Sequence, residues 1–252
     1  MDEKIGNSKI QIFFKIILWS AILVFFIYSY QSIMTGDTVT PVYRKEFFIR
    51  VISALSKPNL SDSETNYSVV TRTFETIQMA FLGTLMGAIL ASMLTLVSAR
   101  KSSALGRGLN SLLQTIMTII KSAHPLITVL FVIIIYGIGP KSGVITLTIF
   151  STAMLFVIYS DYAQNNKYLD WTLLFKYFFP GLALKQLSVN LLIASVLGFM
   201  GGGGIGFFIQ QSINLLDYST ASTGLLTCIA IICVVDLISR DVWKRLLKSK
   251  LV

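Results

Sequence analysis

The residues best placed to do something specific in this chain are glycines. Gly201, Gly202, Gly203 and Gly204 follow one another, with Gly198 before and Gly206 after, inside an uncharged run from Gln186 to Leu216. That run is long enough to cross a bilayer, where a broken helix needs protein or a water-filled cavity around its freed N–H and C=O groups. Breaks of this kind belong where something passes or where a gate bends. The six glycines are therefore candidate gate or hinge positions. Backbone N–H groups in a glycine-rich turn can also hold an anion, but hinge or gate is the favoured reading. The pattern is not a dinucleotide fingerprint, because no βαβ context surrounds it.

Catalytic chemistry finds little material elsewhere. His124 is the single histidine; beside Pro125 it reads as a residue flanking a kink near a membrane interface. Asp236 is a carboxylate at the end of an apolar run, a place where function is the default hypothesis. Arg240 lies one helical turn on, so an i, i+4 ion pair is the simpler expectation. Cys228 and Cys233 fall in the last apolar run and read as packed or lipid-facing thiols, with no second ligand pair for a metal. There is no H-E-x-x-H, no His-carboxylate cluster and no G-x-x-x-x-G-K-[ST] phosphate loop. The apolar runs hold few polar groups. No catalytic residue, metal or resident cofactor is expected.

The elements that must carry these residues are membrane helices. The chain has 252 residues, 54% hydrophobic and 13% charged, against about a quarter charged in ordinary soluble domains. The net charge of +9 does not indicate a nucleic-acid partner, because the cations sit at the ends of the apolar runs, where they set topology. The expected architecture is an all-α membrane protein, a single domain over 1–252. Its six spans are expected at about 16–36, 76–99, 120–139, 142–160, 187–214 and 218–238, the fifth broken by glycine.

Between the first two spans, Phe47, Phe48, Val51, Ile52 and Leu55 recur at helical spacing with Arg44, Lys45 and Arg50 among them. Pro41 and Pro58 bracket this piece, which reads either as a helix on the membrane surface or as one packed on its own protein. Gly83, Gly87 and Ala91 place small residues on one face of the second span, which permits close helix contact. Leu109 to Lys121 is amphipathic and leads into the apolar stretch from Pro125 to Pro140, as one kinked helix or as an interfacial piece plus a short span. A short helix over 171–180 is expected to stop near Pro180. Six spans put both termini on one side, and 15 of the 21 Lys and Arg residues fall on that side, which places it in the cytoplasm.

Glu75-Thr-Ile-Gln-Met-Ala-Phe-Leu-Gly-Thr-Leu-Met-Gly87, Ser98-Ala-Arg100, Gly137-x-Gly-Pro140 with Gly143, and Ser195-Val-Leu-Gly-Phe-Met-Gly-Gly-Gly-Gly-Ile-Gly206 resemble the permease subunit of phosphonate-type ABC importers. The resemblance covers about residues 40 to 245. It implies a fold of the type I importer permease kind, two permease copies around a central path and alternating access. It also implies cytoplasmic ATP-binding subunits that use the ATP, and an extracytoplasmic binding protein delivering a phosphonate or related phosphorus oxyanion. The location implied is the bacterial cytoplasmic membrane. Family permeases dock their ATPase through a cytoplasmic loop beginning Glu-Ala-Ala. The matching segment here is 161–186, with Asp161, Tyr162, Ala163 and Asp170 as docking candidates. It is shorter than in the family, and no glycine follows Ala163 until Gly181. Leu192 stands where the family has an arginine in an Asn-Ile-Arg-Ser-Ala-Thr run. The alternatives are a non-transporting membrane scaffold descended from such a permease, or a permease for another phosphorylated small molecule.

Overall fold

The computed structural model describes residues 2–34, 41–59, 62–98, 104–165 and 178–248, which are almost entirely helical. The chain divides into two compact units, Met1–Arg50 and Val51–Val252. In the first, α1 (Asp2–Met34) carries an apolar window, Lys15–Ser32, long enough to cross a membrane. Trp19, Phe25, Phe26 and Tyr28 in that window are exposed, as suits a span that is apolar on all sides. Helix α2 (Pro41–Leu55) begins in this unit and runs on into the second.

The second unit contains α3 (Ser63–Ser98), α4 (Ala104–Ser122), α5 (Pro125–Tyr136), α6 (Pro140–Asn165), α7 (Phe179–Leu197), α8 (Gly204–Asn214) and α9 (Tyr218–Lys248). Asp62 caps α3: its carboxylate accepts the N–H groups of Glu64 at 3.3 Å and Thr65 at 3.2 Å. Hydrogen bonds from Thr65, side chain and backbone, hold that carboxyl below its usual range. Four of the five prolines start a helix. Pro41, Pro125 and Pro140 are first residues and Pro180 is second, positions where a missing N–H removes no helix bond. The short helix expected over 171–180 lies mostly outside the described residues. Pro180 lies in the opening turn of α7, because a proline that ends one helix is equally suited to begin the next.

The unit is built on α3 and α6. Gly83 lies against Leu147 and Gly87 against Ser151, so closely that a Cβ at either glycine would sit 2.5 Å from its partner's Cβ. Ala91 continues the row into the cluster of Leu155, Phe156 and Tyr159. The small-residue face read from the sequence is thus the seam with α6, and both helices repeat every four residues along it. Three apolar layers stack from one end to the other. Val69, Ile205, Ile209 and Ala221 form the first. Met79, Ala80, Val129, Leu147, Leu191, Ala194 and Leu197 form the middle. Ala91, Leu155, Phe156, Tyr159 and Phe179 form the last.

Two junctions complete the frame. Helices α4 and α5 meet at 92°, with His124 at the corner, where its Nδ1 accepts the Leu126 N–H and caps α5. The stretch after α2 is laid on the first turns of α9. The hydroxyls of Ser222, Ser219 and Thr223 donate to the carbonyls of Leu55, Lys57 and Asn59.

Among the described residues five helical stretches are long and apolar enough to cross a membrane, and six if the bent α4–α5 pair counts as one. This is the all-α, six-span class expected. Helix α3, which carries the second span, starts earlier than the span read from the sequence. α3 has 36 residues, about 54 Å at its helical rise, so it projects beyond a hydrocarbon core about 30 Å thick.

Candidate functional site

Helix α7 ends because its chain meets glycine. A single 3₁₀ turn, Gly198–Met200, follows Leu197. Gly201 then enters the left-handed region at φ 92°, and Gly203 has φ 82°, conformations that cost a side-chain residue dearly. The Gly201 N–H donates to the Gly198 carbonyl (2.9 Å) and the Gly202 N–H to that of Leu197 (3.0 Å), which closes the helix end. Gly204 opens α8, and the glycine turn holds its start so close to the end of α7 that a Cβ on Gly206 would strike the Ser195 carbonyl and meet Gly198 Cα.

Two distant parts of the chain close around this turn. From the loop before α6, the Gly139 N–H donates to the Gly201 carbonyl at 2.9 Å. Pro140 lies under Gly203, where a Cβ would be 2.7 Å from the proline nitrogen, and a Cβ on Gly143 would be 2.5 Å from the Gly202 carbonyl oxygen. From α3, Thr76 Oγ1 accepts the Ile205 N–H at 2.8 Å while donating to the Arg72 carbonyl at 3.0 Å. One otherwise orphaned donor of α8's first turn is thereby satisfied. The blocks around Thr76, Gly139–Gly143 and Gly198–Gly206 are far apart in sequence and meet at one point. Gly198, Gly201, Gly202, Gly203, Gly204 and Gly206 are all buried there. The N–H groups of Gly201, Gly202 and Ile205 are bonded within the protein, so the turn is a packed junction whose movement would separate three elements at once.

A second polar site, missed from the sequence, lies further down α7. Asn190 is fully buried. Its amide donates to Thr84 Oγ1 of α3 (2.8 Å) and Ser151 Oγ of α6 (2.6 Å), and its carbonyl oxygen accepts from Gln186 Nε2 (3.0 Å). One side chain thus bonds three helices at the α3–α6 seam. The spans also hold more buried hydroxyls than expected, among them Thr95, Thr146, Thr152 and Ser195. These bond the carbonyl four residues back in their own helix, which lets a hydroxyl sit in an apolar layer without a partner element. The amides at 186 and 190, one helical turn apart in an uncharged run, were the available signal for the cluster.

At the far end of α6 lie the docking candidates. Asp161 and Tyr162 are exposed and Ala163 is buried. Tyr162 stacks on Phe178 at 4.0 Å between ring centroids. Tyr159, one turn before, stacks on Phe179 at 4.0 Å and donates its hydroxyl to the Phe179 carbonyl, so the end of α6 and the start of α7 are tied. Asp170 and the rest of 166–177 lie outside the described residues. From Pro140 to Asp161 is about 31 Å along α6. α7 alone has 19 residues, about 28 Å, close to the thickness of a hydrocarbon core at about 30 Å. The glycine turn and Asp161 therefore lie at opposite ends of α6, and beyond the turn α8 carries the same apolar stretch on to Asn214. The Asp236–Arg240 pair on α9 is formed at 2.8 Å, with both side chains exposed.

No protein-family model matches the chain. The phosphate-import permease protein PhnE of Mycolicibacterium smegmatis is 25% identical over 187 residues, 64% of this chain and 32% of that protein. Two proteins of Stutzerimonas stutzeri named as phosphite transport system permeases are also similar. HtxC is 23% identical over 72% of this chain and 70% of its own length. HtxE is 27% identical over 48% and 53%. This chain thus spans only about a third of PhnE and about half of HtxE. The resemblance read from the sequence blocks is borne out in these relatives. Two crystal forms of the inward-facing MetNI methionine ABC transporter contain a chain of similar fold. The TM-scores are 0.57 and 0.55 at 14% and 15% identity, covering 73% of this chain and 99% of that one. In sequence the chain is similar to phosphate- and phosphite-transport permeases, and in fold to a chain of an ABC transporter.

Proposed function

We propose that this chain is the membrane-spanning permease subunit of an ATP-driven importer for a phosphonate or a related phosphorus oxyanion. It works as a dimer that alternates between outward and inward states, in a bacterial cytoplasmic membrane with both termini in the cytoplasm. ATP is hydrolysed by separate cytoplasmic subunits, and an extracytoplasmic binding protein delivers the substrate. The glycine turn at Gly198–Gly206 is the gate or hinge, and the segment from Asp161 receives the ATPase. The observation that carries this reading is the convergence of α3, the α5–α6 loop and the α7–α8 turn on one buried glycine junction inside a membrane span. The same three blocks carry the resemblance to importer permeases, and the named relatives handle phosphate and phosphite.

The test is uptake into sealed vesicles containing this permease with its ATPase and binding protein. ATP-dependent accumulation of a phosphonate, phosphite or phosphate is the expected result, and comparing the three identifies the substrate. An assembled complex that hydrolyses ATP yet moves none of them overturns the substrate class. Failure to associate with any ATPase overturns the importer reading in favour of a scaffold.

A further inference from the structure

We propose that Gln114 is a positioning residue for Asp161, presenting that carboxylate as a bare negative charge to a basic group on the docking partner. This rests on the reading of Asp161 as part of the ATPase-docking segment. Gln114 lies on α4, 47 residues before Asp161 in the chain. Its Nε2 donates to Asp161 Oδ1 at 3.1 Å and to Ser160 Oγ at 3.3 Å. The amide has two N–H groups, so one serves each acceptor. One turn earlier on α4, Asn110 Oδ1 accepts from Ser160 Oγ at 3.2 Å. Two amides on one face of α4 therefore grip two consecutive residues of α6.

The grip has a rigid backing. Leu113 and Met117 of α4 pack on the buried cluster of Phe156 and Tyr159, next to the polar contacts, while Leu112, Ile116 and Ile119 face outward. On α6, Ala163 is buried and Tyr162 is stacked on Phe178, so the residues beside Asp161 are committed to packing. Asp161 stays exposed. Among the described residues Gln114 is the one side chain that bonds its carboxylate. A lysine or arginine in Gln114's place would fix the carboxylate equally well but cancel its charge. A neutral amide fixes its direction and leaves the charge, and the partner that such a charge recruits is a lysine or arginine.

The test is ATPase stimulation in the assembled complex for Gln114→Leu, Gln114→Lys, Asp161→Asn and the double variant Gln114→Leu/Asp161→Asn, each first shown to insert and to unfold at the parent temperature. Asp161→Asn should lower stimulation about tenfold and Gln114→Leu about three- to fivefold. The double variant should match Asp161→Asn alone, because Gln114 acts through Asp161. Gln114→Lys, which keeps a donor and neutralises the pair, should be impaired as well and should lose the salt dependence of the parent complex. If Asp161→Asn is impaired while Gln114→Leu matches the parent, or if the double variant falls by the product of the single effects, the inference is overturned and docking at Asp161 stands. Full activity in Gln114→Lys also overturns it, since a merely structural contact would tolerate the lysine. If Asp161→Asn stimulates like the parent, the docking assignment falls and the inference with it.

Discussion

Asn190 shows how much one side chain can decide inside an apolar bundle. A buried amide is costly unless bonded, and here its bonds go to three side chains: Thr84, Ser151 and Gln186. Asn190→Ala would leave three buried polar groups short of a partner, so a loss of about 1–2 kcal/mol is expected. The check is thermal unfolding of the purified protein in detergent, with Val189→Ala, a more exposed neighbour on the same helix, as the reference. Equal stability of the two variants would remove Asn190 from the frame. The glycines were legible because four in a row interrupt an uncharged run, and Asp161 because it falls where the resemblance puts the docking loop. Gln186 and Asn190 were not, because an amide in an apolar run looks the same from the sequence whether it is lone or clustered. What makes this one a cluster is the register that brings Thr84 and Ser151 to the same depth.

At the scale of elements, the α3–α6 seam is the tightest constraint. Gly87 has Ser151 Cβ at 2.5 Å and the Thr152 nitrogen at 3.1 Å from where a Cβ would stand, and neither is the flexible end of a long side chain. Gly87→Leu should therefore force the two helices apart, at about 3 kcal/mol or more. The expected observation is loss of folded protein from the membrane fraction, whereas Gly108→Leu, at a glycine with open space around it, leaves yield unchanged. The small-xxx-small spacing announced such a seam without naming its partner. The 92° corner at His124–Pro125 settles the open choice between one kinked helix and two pieces in favour of two separate helices. Proline marks both outcomes alike, so the sequence had to leave them open. Pro180 teaches the same lesson, since a proline marks a helix boundary without saying on which side the helix lies.

At the scale of the whole molecule the prediction concerns sidedness. In the proposed orientation the Asp161 end is cytoplasmic, and the glycine turn, at the other end of α6, lies toward the outer side. In a background with Cys228 and Cys233 replaced by serine, a single cysteine at Lys57 should react with a membrane-impermeant maleimide in intact cells. One at Asp241 should react only after the membrane is opened. The reverse pattern would invert the importer reading.

Composition, the length of the apolar runs and the placement of cations were enough to determine a multi-pass helical protein, because a bilayer leaves a chain few other ways to satisfy its backbone. The same string marked the glycine break, since no other residue type enters a left-handed turn so cheaply. Which elements meet at that break was decided only in three dimensions. The Gly139–Gly201 hydrogen bond, the Thr76 cap on Ile205, the Asn190 cluster and the Gln114 grip on Asp161 all join residues distant along the chain. Such contacts depend on helix register and depth, which local patterning does not encode and close packing of the helices fixes.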